Sequence, residues 1–200
     1  MVNAQIIGYN NDEYTVEAGS LTRVSVVQDA IKPNRGRLRT QNISYPHHEL
    51  HGGNMFEHSY VFPAVADSGD GQIVVHTGTK HWHMFSQFGG EGAAYVRLYE
   101  GTIPHSGTAA TTSHNLNRAS SKTSSGSVYN DVYVDAAEYG TELHQGHIAG
   151  GAGPKSAGGT IRQNTEWILS SGTHYLFRLT NDAAATKMYT AELEWYEESP

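Results

Sequence analysis

The chain has 200 residues, with 22 glycines, 12 tyrosines, no cysteine and a formal net charge of -7. That length suits one all-β domain, the missing cysteine excludes disulfides and thiolate metal sites, and the acidic balance argues against DNA or RNA as a partner, because neutralising phosphates takes a basic surface. Charged residues make up only 16%, against roughly 25% in ordinary domains, a profile of β-rich extracellular or virion proteins more than of helical enzymes.

Residues 1–42 differ from the rest of the chain. Short apolar runs at 5–8 and 21–27 are interrupted by polar and turn-forming residues. Leu21, Val24, Val27 and Ile31 have helical spacing, but the β-branched content of LTRVSVV favours a strand. The segment reads as an N-terminal arm that packs on a neighbour or on its own sheet. Within it, KPNRGRLR carries Lys32, Arg35, Arg37 and Arg39, four of the 13 basic residues. This run reads as a solvated loop or as a contact for an acidic protein surface. The first ten residues lack a basic start followed by an apolar run, and no stretch of eighteen apolar residues occurs, so neither a secretory signal nor a membrane span is expected.

From residue 43 onward strand candidates arrive regularly: 54–62, 71–77, 81–87, 95–101, 128–135, 165–169, 174–180 and 188–196. The last two carry the firmest signal. Tyr175, Phe177 and Leu179 alternate with other residues, as do Tyr189, Ala191, Leu193 and Trp195 with Thr190, Glu192 and Glu194 opposite, which is the period of half-buried strands. Between them NDAAAT suits a hairpin. The runs DSGDG at 67–71 and GGEG at 89–92 supply turn residues for antiparallel connections. Residues 103–127 and 146–160 are too polar or glycine-rich to form core and read as loops. No helical pattern separates the strands, so a parallel α/β sheet is disfavoured. The expected fold is all-β: an antiparallel jelly-roll β-sandwich over 43–200 with an N-terminal arm over 1–42.

The candidate chemistry is thin. His81 and His83 flank Trp82 and point the same way on a strand, the geometry of an HxH metal motif. The glutamate that should come next is replaced by Gln87 or Phe88, Glu91 comes too late, and His174 comes after its turn without the proline and spacing such a motif carries. A metal site is therefore not expected. His47, His48 and His51 form a further group, read as an interface or a pH-sensitive contact. The run GGAGPKS at 150–156 places Pro154 where a phosphate loop needs glycine, and a strand comes after it. No Gly-x-Ser-x-Gly elbow is present. Glu192 and Glu194 share a strand face, one way to present a glycosidase pair, and read as a solvated charged face. Trp82, Trp167 and Trp195 offer stacking surfaces for sugars, but on strands they read first as core or subunit contact. No catalytic residue, metal or cofactor is assigned.

Taken in order, YPHHELHGGNMF (45–56), KHWHMF (80–85), VRLYEG (96–101), HNLNRASS (114–121), EWILSSGTHYLFRLTN (166–181) and the closing ELEWYE resemble the jelly-roll capsid decoration, or cement, proteins of tailed bacteriophages. The resemblance spans residues 43–197, and residues 1–42 fall outside it. It implies a non-enzymatic virion protein on the outer surface of the head, assembled in the bacterial cytoplasm as a homotrimer. Its partners would be the major capsid protein and further copies of itself, with neither nucleic acid nor membrane involved. The interface residues expected on this reading are Lys32, Arg35, Arg37, Arg39, His47, His48 and His51. Two alternatives share the chain: a carbohydrate- or receptor-binding virion module, and a cupin-like metalloprotein.

Overall fold

The computed structural model describes residues 44–105, 111–150 and 159–198, together with residues 4–7, 13–16, 24–26 and 40–42 of the N-terminal region. The chain divides into two compact units, residues 1–48 and 49–200. In the first, β1 (Ala4–Ile7) pairs antiparallel with β2 (Glu13–Val16), and β3 (Val24–Val26) with β4 (Thr40–Asn42). The β-branched run at 21–27 thus contains a strand, as its composition favours.

Next comes a helix that the hydrophobic pattern does not announce. α1 (Tyr45–Gly52) has Pro46 in its first turn, where a missing N–H costs nothing. It ends because Gly53 adopts φ +69°, with Gly53 N–H donating to the Leu50 carbonyl and Asn54 N–H to the Glu49 carbonyl, at 3.1 and 2.9 Å. That pair of bonds is the Schellman stop. A side chain at Gly53 would also meet Ser120, with Oγ at 2.3 Å from a built Cβ.

The second unit is a β-sandwich. Its strands are β5 (Met55–Val65), β6 (Asp70–His76), β7 (His81–Gly90), β8 (Ala94–Glu100), β9 (His114–Asn115) and β10 (Ser127–Asn130). After a 3-10 helix at Ala136–Glu138 come β11 (Thr141–Ile148), β12 (Thr160–Leu169), β13 (His174–Asn181) and β14 (Lys187–Glu198). One antiparallel sheet has the order β10-β6-β13-β8-β11, the other β12-β7-β14-β5-β9. Successive strands from β5 to β14 alternate between the two sheets, except that β10 and β11 occupy opposite edges of the same one.

The alternation corrects one expectation. Residues 181–186 do not close a hairpin, because β13 and β14 lie in different sheets. The reason is Asn181, 1% exposed, whose Nδ2 donates to the carbonyls of Val65, Ala66 and Ala185 at 2.9, 3.0 and 2.8 Å. Its Oδ1 accepts from Ala183 N–H at 2.9 Å and from the Tyr189 hydroxyl at 2.7 Å. The amide stitches the β13–β14 crossing to the β5–β6 crossing, which binds the chain across the sandwich instead of folding it back on its neighbour.

Between the sheets lies the main core. The expected inward residues of β13 and β14, Tyr175, Phe177, Leu179, Tyr189, Ala191, Leu193 and Trp195, are all buried there. Trp82 and Trp195 stack at 4.4 Å between centroids, Phe56 packs against Trp195 at 6.0 Å, and Phe88 meets Phe177 at 5.8 Å. Burying each such side chain stabilises by roughly 1.5–3 kcal/mol before chain entropy is counted. At one end of this layer Glu197 is buried beside Trp195, accepting from the Ser124 hydroxyl at 2.6 Å and Ser125 N–H at 2.9 Å. Lys80 Nζ stands 3.7 Å away. This carboxylate ties the 116–126 loop to β14.

A second, smaller core covers the outer side of the β6–β13–β8 region. Val74, Tyr99 and Leu176 pack against Val132 and Val134, with Tyr129 and Tyr139 alongside. Here the strand expected over 128–135 is corrected: β10 stops at Asn130 because Asp131 adopts φ +52°. Val134 N–H then donates to Gln72 Oε1 at 2.9 Å, folding the segment over the sheet. The Tyr60 hydroxyl donates to Asp131, a bond that, with burial, pushes its pKa up to about 12. Among the described residues of 103–127 the chain is largely irregular, as expected, with the Thr111 bridge to Val128, β9 and the start of β10 as its paired pieces. Residues 141–148, by contrast, form a strand, so Gly146 lies in a sheet.

Candidate functional site

Among the described residues, the smaller core covers the outer side of the β6–β13–β8 region, while the outward side of β12-β7-β14-β5 presents exposed side chains. The two-residue period that buries Leu193 and Trp195 turns Glu192 and Glu194 outward. Register places Glu194 directly between Glu57 on β5 and Phe85 on β7, and Glu192 between Ser59 and Gln87. Like charges facing across strands repel, so this surface is acidic at its centre. Around it stand exposed apolar side chains: Val61 (48%), Met188 (41%) and Ile168 (65%).

Toward one end, His83 stacks on Tyr196 at 4.5 Å. Its Nδ1 lies 2.7 Å from Glu166 Oε1 and its Nε2 3.4 Å from Glu198 Oε2, while the Tyr196 hydroxyl donates to Glu166. The imidazole thus bridges carboxylates from β12 and β14.

The histidines singled out from the sequence are dispersed. His81 and His83 belong to β7, and Ser171 N–H donates to His81 Nδ1 at 3.2 Å. His174 lies in the other sheet, stacked on His76 at 4.4 Å. His81, His83 and His174 do not converge as a metal-ligand set. His47, His48 and His51 are exposed on α1, with 47 and 51 four apart and 48 and 51 three apart, spacings that share a helix face. Tyr45 stacks on His48 at 6.3 Å. Lys32, Arg35, Arg37 and Arg39 lie outside the described residues, as does most of the 150–156 glycine run. Trp82 and Trp195 are core, and Trp167 is half-buried 6.0 Å from His144.

The His76–His174 stack makes stability depend on pH. Burial, and then the neighbouring His76, hold the His174 pKa below its usual 6.5. The unfolded chain therefore takes up this proton first on acidification. Its contribution is full above about pH 6.5 and is lost as pH falls through that value toward the folded pKa. Thermal melts between pH 5 and 8 are expected to show a lower Tm on the acid side, with a shallower slope in His174→Gln; equal slopes would remove His174 as a source of the pH dependence.

Sequence reasoning passed over one group. His105, Asp135 and Glu138 bring one ligand atom each to within 4.8 Å of one another, the one such trio among the described residues. Their only sequence signal is the Asp-x-x-Glu spacing, which means little until a 3-10 helix eclipses positions i and i+3.

No protein-family model matches the chain, and no curated protein matches it. Among the described residues no helix is long and apolar enough to cross a membrane.

Proposed function

We propose that this chain is a non-enzymatic structural virion protein, a jelly-roll decoration protein that binds the outer surface of a phage head and stabilises capsomer contacts. The observation that carries the reading is the placement of its chemistry. Of the three tryptophans that could have formed a ligand platform, Trp82 and Trp195 are consumed by the core and Trp167 is half-buried. What faces outward is a broad strand surface with Glu57, Glu192 and Glu194 set among exposed Val61, Ile168 and Met188. Such a surface is suited to another protein surface.

The strand order supports the jelly-roll assignment. β5-β14-β7-β12 faces β6-β13-β8-β11, so that eight strands wind in pairs from one sheet to the other. The sequence resemblance over 43–197 supplies the rest: the virion surface, the major capsid protein as partner and a homotrimer as the working unit. The mechanism is area. Copies that each bury on the order of 1,000 Å² against neighbours and shell add contacts that must all break before capsomers part.

The arm carries the basic run Lys32, Arg35, Arg37 and Arg39, and on this reading it grips the capsid or an adjacent copy, with His47, His48 and His51 near that contact. Deleting residues 1–40 is expected to leave a folded oligomer that cosediments less with shells of the major capsid protein. Unchanged occupancy would remove the arm from the mechanism, and failure of the full-length chain to bind any such shell would remove the function itself. Saturable binding of the full-length chain to a glycan instead would favour the receptor-binding alternative.

A further inference from the structure

The geometry points to a divalent transition-metal site, zinc first, formed by His105, Asp135 and Glu138, which clamps the chain after β8 to the 3-10 helix over the smaller core. The three groups arrive from two segments fixed independently of any ion. Ile103 N–H donates to the Glu138 carbonyl at 3.0 Å, and the Thr102 hydroxyl to the Tyr139 carbonyl at 2.7 Å. These bonds hold the segment carrying His105 alongside residues 135–139. Asp135 stands immediately before the 3-10 helix and Glu138 ends it, so both carboxylates fall on one side of the turn. Tyr133 stacks on His105 at 6.2 Å.

The trio lies at the surface, and both of its carboxylates converge on the same imidazole nitrogen. His105 Nε2 is directed at Asp135 Oδ2, 3.0 Å away. Glu138 Oε2 lies against the same nitrogen but off that axis; it is sealed from solvent and accepts no hydrogen bond. A single ring N–H is thus shared between two carboxylate oxygens that compete for it. A metal ion takes a ligand atom from all three at once. One imidazole nitrogen and two carboxylate oxygens match zinc, and manganese less closely. Ligands bonded at about 2.0–2.2 Å stand roughly 3–3.5 Å apart, so a site whose ligand atoms already lie within 4.8 Å of one another needs only small side-chain adjustment. Three protein ligands leave a fourth position for water.

The test uses the full-length protein, stripped with chelator and titrated with ZnCl2 and, separately, MnCl2 by calorimetry, with native mass spectrometry for stoichiometry. One saturable ion per chain is expected, with zinc the tighter and with slowed amide exchange at 102–105 and 135–139. His105→Ala and Asp135→Asn are each expected to weaken binding at least tenfold and to abolish the exchange effect. Asp135→Asn and Glu138→Gln keep side-chain shape and serve if His105→Ala does not fold. Because the chain holds 12 histidines, the triple replacement His47→Ala, His48→Ala, His51→Ala is the control and should leave the affinity unchanged. Absence of saturable binding overturns the proposal, as does binding that survives both His105→Ala and Asp135→Asn.

Discussion

Replacing Asn181 by alanine is expected to lower the unfolding free energy by about 3 kcal/mol or more, the sum of orphaned buried groups at roughly 1–3 kcal/mol each. The buried amide gathers three carbonyls, a backbone N–H and the Tyr189 hydroxyl, with Val65 and Tyr189 buried beside it and Ala66 and Ala185 at the surface. Alanine takes the amide from the Val65 and Ala185 carbonyls and the Ala183 N–H, while the Ala66 carbonyl keeps Gly69 N–H and the Tyr189 hydroxyl keeps the Ala93 carbonyl, and it opens the two crossings that the side chain joins. In a chain of this size, the loss corresponds to a fall in Tm of roughly 6–12 °C. Asn181→Asp separates shape from donors: it keeps the oxygen that Tyr189 and Ala183 bond but turns a charge toward the carbonyls of Val65, Ala66 and Ala185. It should be at least as damaging. Chemical denaturation of both variants checks this, and a loss under about 1 kcal/mol in Asn181→Ala, the net worth of one ordinary hydrogen bond, would show that the crossings hold without their amide.

Trp195→Ala is expected to cost about 3–5 kcal/mol, the range for deleting a fully buried large aromatic. The indole stacks on Trp82 at 9° between planes and touches Phe56, and its Nε1 stands 3.4 Å from the buried Glu197 carboxylate. Its loss therefore opens a cavity between β7 and β5 and weakens the contact that holds the 116–126 loop. Trp195→Phe refills part of the volume and should recover more than half of the loss, which a packing role requires. Near-equal destabilisation by both variants would assign the residue's weight to the indole N–H.

Both predictions rest on β13 and β14, where the sequence is most legible. Along β14 alternation holds as far as Trp195, because one side meets the main core and the other meets solvent, and it ends where Tyr196 is buried against His83. β13 already departs from it: Leu176 faces outward yet is buried, because Val132 and Val134 cover that side. No local pattern announces such a cover, and the same segment hides the end of β10, since an Asp at φ +52° looks from sequence like one more residue of DVYVD. β11 escapes the pattern for the opposite reason. It is an edge strand with a bulge between Glu142 and His144, and Ile148 is its one buried residue, so no alternation survives to be read. α1 is too short and too polar for a helical stripe, and only Pro46 and the Gly52-Gly53 stop mark it.

The sites divide in the same way. The acidic surface is legible in outline, because Glu192 and Glu194 must share a side of any strand through 188–196. That Glu57 joins them depends on a pairing across more than a hundred residues. The HxH pair is a local pattern whose partners never arrive, since His174 lies in the other sheet. The trio of His105, Asp135 and Glu138 shows no more than an Asp-x-x-Glu spacing: its histidine comes from a separate segment, and its acids align only through a 3-10 turn.

Where the protein sits is the central question for the decoration role. Cryo-electron microscopy of mature heads, with the protein present and after its gene is deleted, is the measurement that decides it. A decoration protein is expected to give difference density on the outer shell at symmetry-related positions, in trimers, fitted by the sandwich that carries β5-β14-β7-β12. Density inside the shell, at the tail, or absent from both particles would contradict that role.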